Sequence, residues 1–340
     1  MIPTTIPESR RVAIPTDLVP SSLARPSGQV HTLGGETMGT SWRVRYVDRL
    51  SREPQLRAAI DSVLARVIAE FSPWESASSL SRFNDGPVDD WQEISPDFVK
   101  VVEAALQVAH EAAGAYDPAV GALVDLWGFG PQKPREPVPA DAAIKEALAE
   151  SGHKAIVLDA AGHRISRTRR ARLDFCGIAK GFAVDLVAET LRRNGVASAL
   201  VEIGGELASF GVKPDGAPWW VSVDRGGNAH APILVALHDL SIATSGCERS
   251  FRYGAEIYSH TIDPRTGTPI DNGMATATVL HRSCMMADAY ATALMAMGPG
   301  EALAFADRHG LAAVIEFDDQ ENGVARRCES ISRAFLAMIG

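Results

Sequence analysis

Short strand-like runs bounded by glycine turns alternate irregularly with amphipathic helical runs along this chain, and that order limits its fold more than any other feature. Runs at 31–36 and 41–47 flank Thr37-Met38-Gly39-Thr40, where Gly39 lets the backbone approach a ligand closely. Apolar residues then recur at helical spacing over 54–71 and over 96–113, the second run ending at Gly114 as a C-cap. Between these helices, 71–84 is too rich in serine for a packed helix and reads as an ordered loop that places Trp74 for ring stacking. A helix over 140–150 precedes strands at 155–158 and near Ile165 and Leu173, the last passing through Gly177 into a helix. Strands follow from 199 to about 237, at 242–244, at 257–262 and at 275–280. A helix from Cys284 to Gly298, another over 300–309, a strand over 312–317 and a short tail complete the chain. The prolines at 3, 7, 15, 20 and 26 mark residues 1–28 as a weakly ordered arm ahead of one domain over 29–340.

The densest chemistry lies in the segment from Ser241 to Gly267. It carries His260 on the strand expected at 257–262, just before an Asp263-Pro264 turn. Imidazole suits general-base work near neutral pH, and the bland alternative is a half-buried histidine bonded to its own turn. Two further places carry oxygen or charge. The helix that starts after Gly177 bears Lys180 in its first turn, so its free N–H groups and the ammonium could meet a phosphate. Asp288 and Thr292 stand one turn apart on an otherwise apolar helix, a pairing that suits Mg²⁺ or, more plainly, an Asp hydrogen-bonded near a helix start. Neither G-x-x-x-x-G-K-[ST] nor G-x-G-x-x-G occurs, which leaves out a P-loop and a Rossmann dinucleotide site.

A formal charge of -9 argues against nucleic acid and anionic membranes as partners. The four cysteines form no C-x-x-C pair, so free thiols are expected. No apolar run has the length of a signal peptide or a membrane span, and the expected compartment is the cytoplasm.

Taken together, M-G-T at 38–40, S-S-L-S-R-F-N at 78–84, Y-D-P-A-V-G-A-L-V-D-L-W-G-F-G at 116–130 and I-A-K-G-F-A-V-D at 178–185 resemble the ApbE family of flavin transferases. I-G-G-E at 203–206, A-T-S-G at 243–246, Y-S-H-T-I-D-P-R-T-G at 258–267 and A-D-A-Y-A-T at 287–292 continue the resemblance in the family's order, over about 34–317. It implies a compact α+β fold with antiparallel-rich mixed sheets packed by helices, consistent with the element order above. It also implies an activity: transfer of FMN from FAD to a Thr or Ser of an acceptor protein carrying a short flavinylation motif. Carried over residue by residue, Met38, Trp74, Ala115, Tyr116 and Asp117 would line the FAD pocket, and Lys180, Ser259, His260 and Thr261 would face its phosphates or flavin. Asp288, Thr292 and the carbonyl oxygen of Ala179 would hold Mg²⁺, with His260 as the base. Trp74 stands where the family often has Tyr, and the family is often exported or lipid-anchored, which makes the periplasm the alternative compartment. Rival activities are an FAD pyrophosphatase, with water as the nucleophile, and a flavin-binding protein without turnover. The stretch N-G-M-A-T-A-T at 272–278 loosely resembles such an acceptor motif, but Thr276 and Thr278 alternate with alanines toward Val279-Leu280 and are expected in a strand.

Overall fold

A computed structural model describes residues 11–16, 18, 24–132, 138–223, 231–247, 249–321 and 324–339. Eight strands form one antiparallel sheet whose spatial order follows the chain: Gln29–Thr37, Thr40–Asp48, Ala199–Ile203, Glu206–Phe210, Ser241–Gly246, Met274–His281, Ala312–Glu321 and Val324–Ile331. Residues of alternate parity divide between its two faces, as the pleat requires. Trp42, Val44, Val201, Ile203, Ala277 and Val279 enter the main core beneath the helices. Val47, Leu200, Ile242 and Leu280 instead meet a second core on the opposite face. That second core is closed by a three-stranded sheet and by Phe335 from the helix Arg333–Leu336.

Helices Glu53–Phe71, Pro96–Glu111, Ala179–Arg193 and Cys284–Met297 cover the main face, each with its apolar stripe inward. Phe71, Phe98, Phe175 and Phe182 form a ring cluster where three of these helices converge, with centroids 5.4–5.8 Å apart. The fold is α+β with antiparallel-rich sheets, as expected.

Several local expectations are corrected. Residues 79–85 are a helix, because Ser78 accepts the Ser81 N–H at 3.0 Å as N-cap while Leu80 and Phe83 bury themselves three residues apart. No strand forms at Leu173; its backbone N–H and C=O are bonded instead by the Asn84 amide, at 2.7 and 2.8 Å. In place of a short tail, Val324–Ile331 adds an edge strand and a final helix follows. Within the proline-rich arm, Arg11–Ala13 pairs in parallel with Ile233–Val235, while residues 1–10, 17 and 19–23 lie outside the described ones. His260 is not on a strand of 257–262: the strand Glu256–Ser259 stops before it, the chain bends, and Ile262–Asp263 starts a separate short ladder.

Between Gly246 and Met274 the chain leaves the large sheet, makes the hairpin Ser250–Tyr253/Glu256–Ser259 and the ladder Ile262–Asp263/Thr268–Pro269, and returns to the neighbouring strand. Gly246 and Thr276 are register partners across that gap. Thr276 and Thr278 lie in the returning strand at 5% and 1% exposure, Thr278 bonded to Thr244 at 2.9 Å. A hydroxyl locked in this ladder cannot meet a phosphorus in line. Incubation with FAD and Mg²⁺ but no acceptor is therefore expected to leave the 272–278 peptide at its unmodified mass; a covalent FMN there, seen by mass spectrometry, contradicts this reading.

Candidate active site

The site is built where the helices Ala179–Arg193 and Cys284–Met297 cross. Their approach depends on Gly181, since a Cβ there would lie 2.3 Å from the Cys284 carbonyl oxygen and 2.9 Å from the Asp288 Cβ. Asp185, one turn further along, caps the second helix: it accepts from the Ser283 hydroxyl at 2.7 Å and from the N–H groups of Cys284 and Met285 at 2.9 and 3.1 Å. This contact fixes the register of one helix on the other. Asp185→Ala orphans those three donors and is expected to lower unfolding stability by about 2–4 kcal/mol in a denaturant titration. A loss below half a kcal/mol would show that the capping contact is dispensable.

The clamp brings Asp288 onto the first turn of its partner helix, where its Oδ2 accepts the Gly181 N–H at 3.0 Å. Asp288 is 2% exposed, and burial lifts its carboxyl above the ordinary range while the Lys180 ammonium opposes that lift. Lys180 also donates to Oε1 of Glu206, which follows the Gly204-Gly205 turn. Burial pushes Glu206 up to about 7, against the pull of Lys180. For Lys180 itself, desolvation acts downward, but Asp288 and Glu206 together outweigh it and hold the amine protonated. Two buried carboxyls thus share one ammonium, and Glu206 Oε2 is buried without a hydrogen-bond partner. The balance of charge favours a further cation.

The oxygen donors for one are present. Thr292 presents its Oγ1 one turn after Asp288, 3.3 Å from the Ser245 hydroxyl, and Gly177 faces it so closely that a Cβ would lie 2.8 Å from that Oγ1. Among the described residues, no three His, Cys, Asp or Glu side chains converge on a possible metal. An ion here would be held by carboxylate, hydroxyl and main-chain carbonyl, a set that suits a hard cation such as Mg²⁺ and not a thiophilic one.

These residues form one wall of a cleft of about 370 Å³. The other wall comes from Ala115-Tyr116-Asp117 and from the excursion that carries Arg249, His260 and Thr261. Asp117 is largely spent on structure, accepting from the Ala119 N–H at 2.8 Å and from the His153 N–H and ring Nδ1–H at 2.8 and 2.7 Å. The Tyr116 hydroxyl is buried without a partner, and its pKa lies well above that of a free phenol because burial and the nearby Asp288, Asp174 and Asp117 all disfavour the phenolate. It is a neutral donor. The His260 ring donates through Nδ1 to the Arg249 carbonyl at 2.9 Å, and the His260 backbone N–H reaches the same oxygen at 3.0 Å. A carbonyl only accepts, so Nδ1 carries the proton and Nε2 is the basic nitrogen of the neutral ring.

Of the residues singled out from sequence, Ala115, Tyr116, Asp117, Lys180, His260, Thr261, Asp288 and Thr292 line this one cleft. Three do not. Ser259 is buried behind it, donating to Cys247 Sγ at 3.7 Å. Met38 forms the two-residue hairpin turn at a φ of 48° and packs against the main core, with Thr40 beside Gly204 linking that turn to the cleft rim. Trp74 is 53% exposed on its loop and borders no part of the cleft. The cleft also includes Glu206, Asp174, Cys176 and Arg249, for which the sequence alone suggests no role. A carboxylate directly after a glycine pair was the one available signal, for Glu206.

The ApbE family model matches residues 38–315. The chain belongs to the ApbE family. An FAD:protein FMN transferase of Vibrio cholerae serotype O1 is 35% identical over 334 residues, covering 96% of this chain and 98% of that protein. One from Haemophilus influenzae is 35% identical over 298 residues, covering 84% and 86%. The solved apo form of the Pseudomonas stutzeri flavinyl transferase ApbE superposes with a TM-score of 0.84 at 35% identity, over 92% of this chain and 97% of that one. The α+β architecture described above is thus the ApbE fold.

Proposed function

We propose that this ApbE-family protein transfers FMN from FAD to a Thr or Ser hydroxyl of an acceptor protein, with Mg²⁺, and releases AMP. The observation that carries the reading is the convergence of a basic imidazole nitrogen, a protonated lysine and a hard-oxygen donor set on one cleft. The acceptor oxygen bonds to the FMN phosphorus as the pyrophosphate P–O bond breaks, and AMP leaves with the bridging oxygen. His260 Nε2 takes the hydroxyl proton as that bond forms. Lys180, held by Glu206, faces the phosphate charge without shedding its own proton, and the Tyr116 hydroxyl offers a neutral hydrogen bond. Asp288, Thr292 and the Ala179 carbonyl would hold Mg²⁺, which when bound supplies positive charge to phosphate oxygens.

Incubating the protein with FAD, Mg²⁺ and a candidate acceptor tests the reading, because transfer alone makes the acceptor heavier by one FMN unit. Release of FMN and AMP without a heavier acceptor would identify a pyrophosphatase. FAD recovered intact would identify a binding protein.

A further inference from the structure

Arg249 reaches the cleft from the excursion, and its two ends are engaged differently. Its main-chain carbonyl holds the His260 ring and backbone N–H. Its guanidinium lines the cleft and donates to the Phe129 carbonyl at 3.2 Å, which ties the excursion to the Trp127-Gly128-Phe129 loop. Asp174, also in the cleft, feels the Arg249 charge, yet among the described residues no carboxylate lies within ion-pair distance of that guanidinium. Lys180 is different: Glu206 already bonds its ammonium. Within the cleft, then, one cation is committed to a buried carboxylate and one, among the described residues, retains most of its five donors. A guanidinium kept at a cleft by a single neutral carbonyl is suited to a bidentate anion.

We propose that the Arg249 guanidinium contacts a phosphate of the bound nucleotide, opposite the Lys180 wall, and so couples phosphate binding to the position of His260 through its own backbone. This deepens the flavin reading and rests on it for the identity of the nucleotide. The anchor on His260 is a main-chain oxygen, so any side chain at 249 preserves it. Substitution therefore isolates the charge.

Arg249→Ala and Arg249→Lys are compared with the unaltered protein for binding of FAD, riboflavin and inorganic pyrophosphate, by flavin fluorescence and calorimetry. Arg249→Ala is expected to weaken FAD and pyrophosphate by roughly ten- to a hundredfold, the scale of a lost charged hydrogen bond. Riboflavin, which has no phosphate, should keep its affinity in both variants. Arg249→Lys should recover part of the loss, since charge returns without the fork. Equal weakening of FAD and riboflavin would overturn the proposal, as would no change for either anion. Arg249-dependent pyrophosphate binding by a protein that takes up no FAD would uphold the phosphate contact and remove the flavin reading, so the two failures are distinguishable.

Discussion

Asp288→Ala is expected to abolish Mg²⁺-dependent FMN transfer, lowering the rate at limiting Mg²⁺ by on the order of a hundredfold or more, because the only carboxylate of the hard-oxygen set is lost. The fold should survive. The remaining Lys180–Glu206 pair balances its own charge, and the buried carboxyl that is removed is one whose desolvation opposes ionisation. Thr292→Val should act in the same direction but more weakly, since a hydroxyl brings no formal charge. The ion also leaves a signature in stability. Burial raises both Asp288 and Glu206, the latter to about 7, so the folded chain binds these protons more tightly than the unfolded chain does. Their contribution to stability is complete below the ordinary carboxyl range; that of Glu206 is lost as pH rises through about 7 and that of Asp288 as pH rises through its own raised value. A cation is attracted by the ionised forms. The rise in Tm on adding Mg²⁺ should therefore be larger at pH 8 than at pH 6, and it should vanish in Asp288→Ala. A rate unchanged at limiting Mg²⁺, or a Mg²⁺-dependent Tm rise that persists in Asp288→Ala, would remove Asp288 from the metal assignment.

His260→Ala should lower kcat by roughly 10²–10⁴-fold, the usual worth of a positioned general base, while FAD affinity changes only a few-fold. The reason is local. The Arg249 carbonyl holds the ring in the Nδ1–H tautomer, which directs the basic nitrogen to work that matters in the transition state more than in the ground state. A loss of FAD affinity with kcat intact would make His260 a binding residue.

What could be read from the chain beforehand divides along a physical line. Helices with long apolar stripes, such as Glu53–Phe71 and Pro96–Glu111, and strands with alternating burial, such as Thr40–Asp48, announce themselves because their periodicity is local. The helix at 79–85 is short, and its defining event is a Ser78 cap that composition disguises as loop. Ile257 to Ile262 has strand-like side chains, which puts His260 on a strand in any local reading; the hairpin register ends at the Ser250–Ser259 pair, and only pairing reveals that. The one-turn spacing of Asp288 and Thr292 was legible as geometry along a helix. That Glu206 bonds Lys180, or that Asp185 caps a helix a hundred positions away in the chain, depends on helix crossing and sheet order, which no local window contains.

The register partnership of Gly246 with Thr276 has an implication for how such a protein can change. The chain leaves the sheet and re-enters it one strand spacing away, so the pairing is indifferent to what is strung between, and closing a longer loop costs only about 0.6 kcal/mol per doubling of its length. Segment 247–273 is in that sense a cassette. Transplanting it between family members should leave the sheet in register and carry Arg249 and His260 along as a unit, while Lys180, Asp288 and Thr292 stay with the recipient's helices. A chimera would then inherit its proton acceptor from one parent and its cation corner from the other.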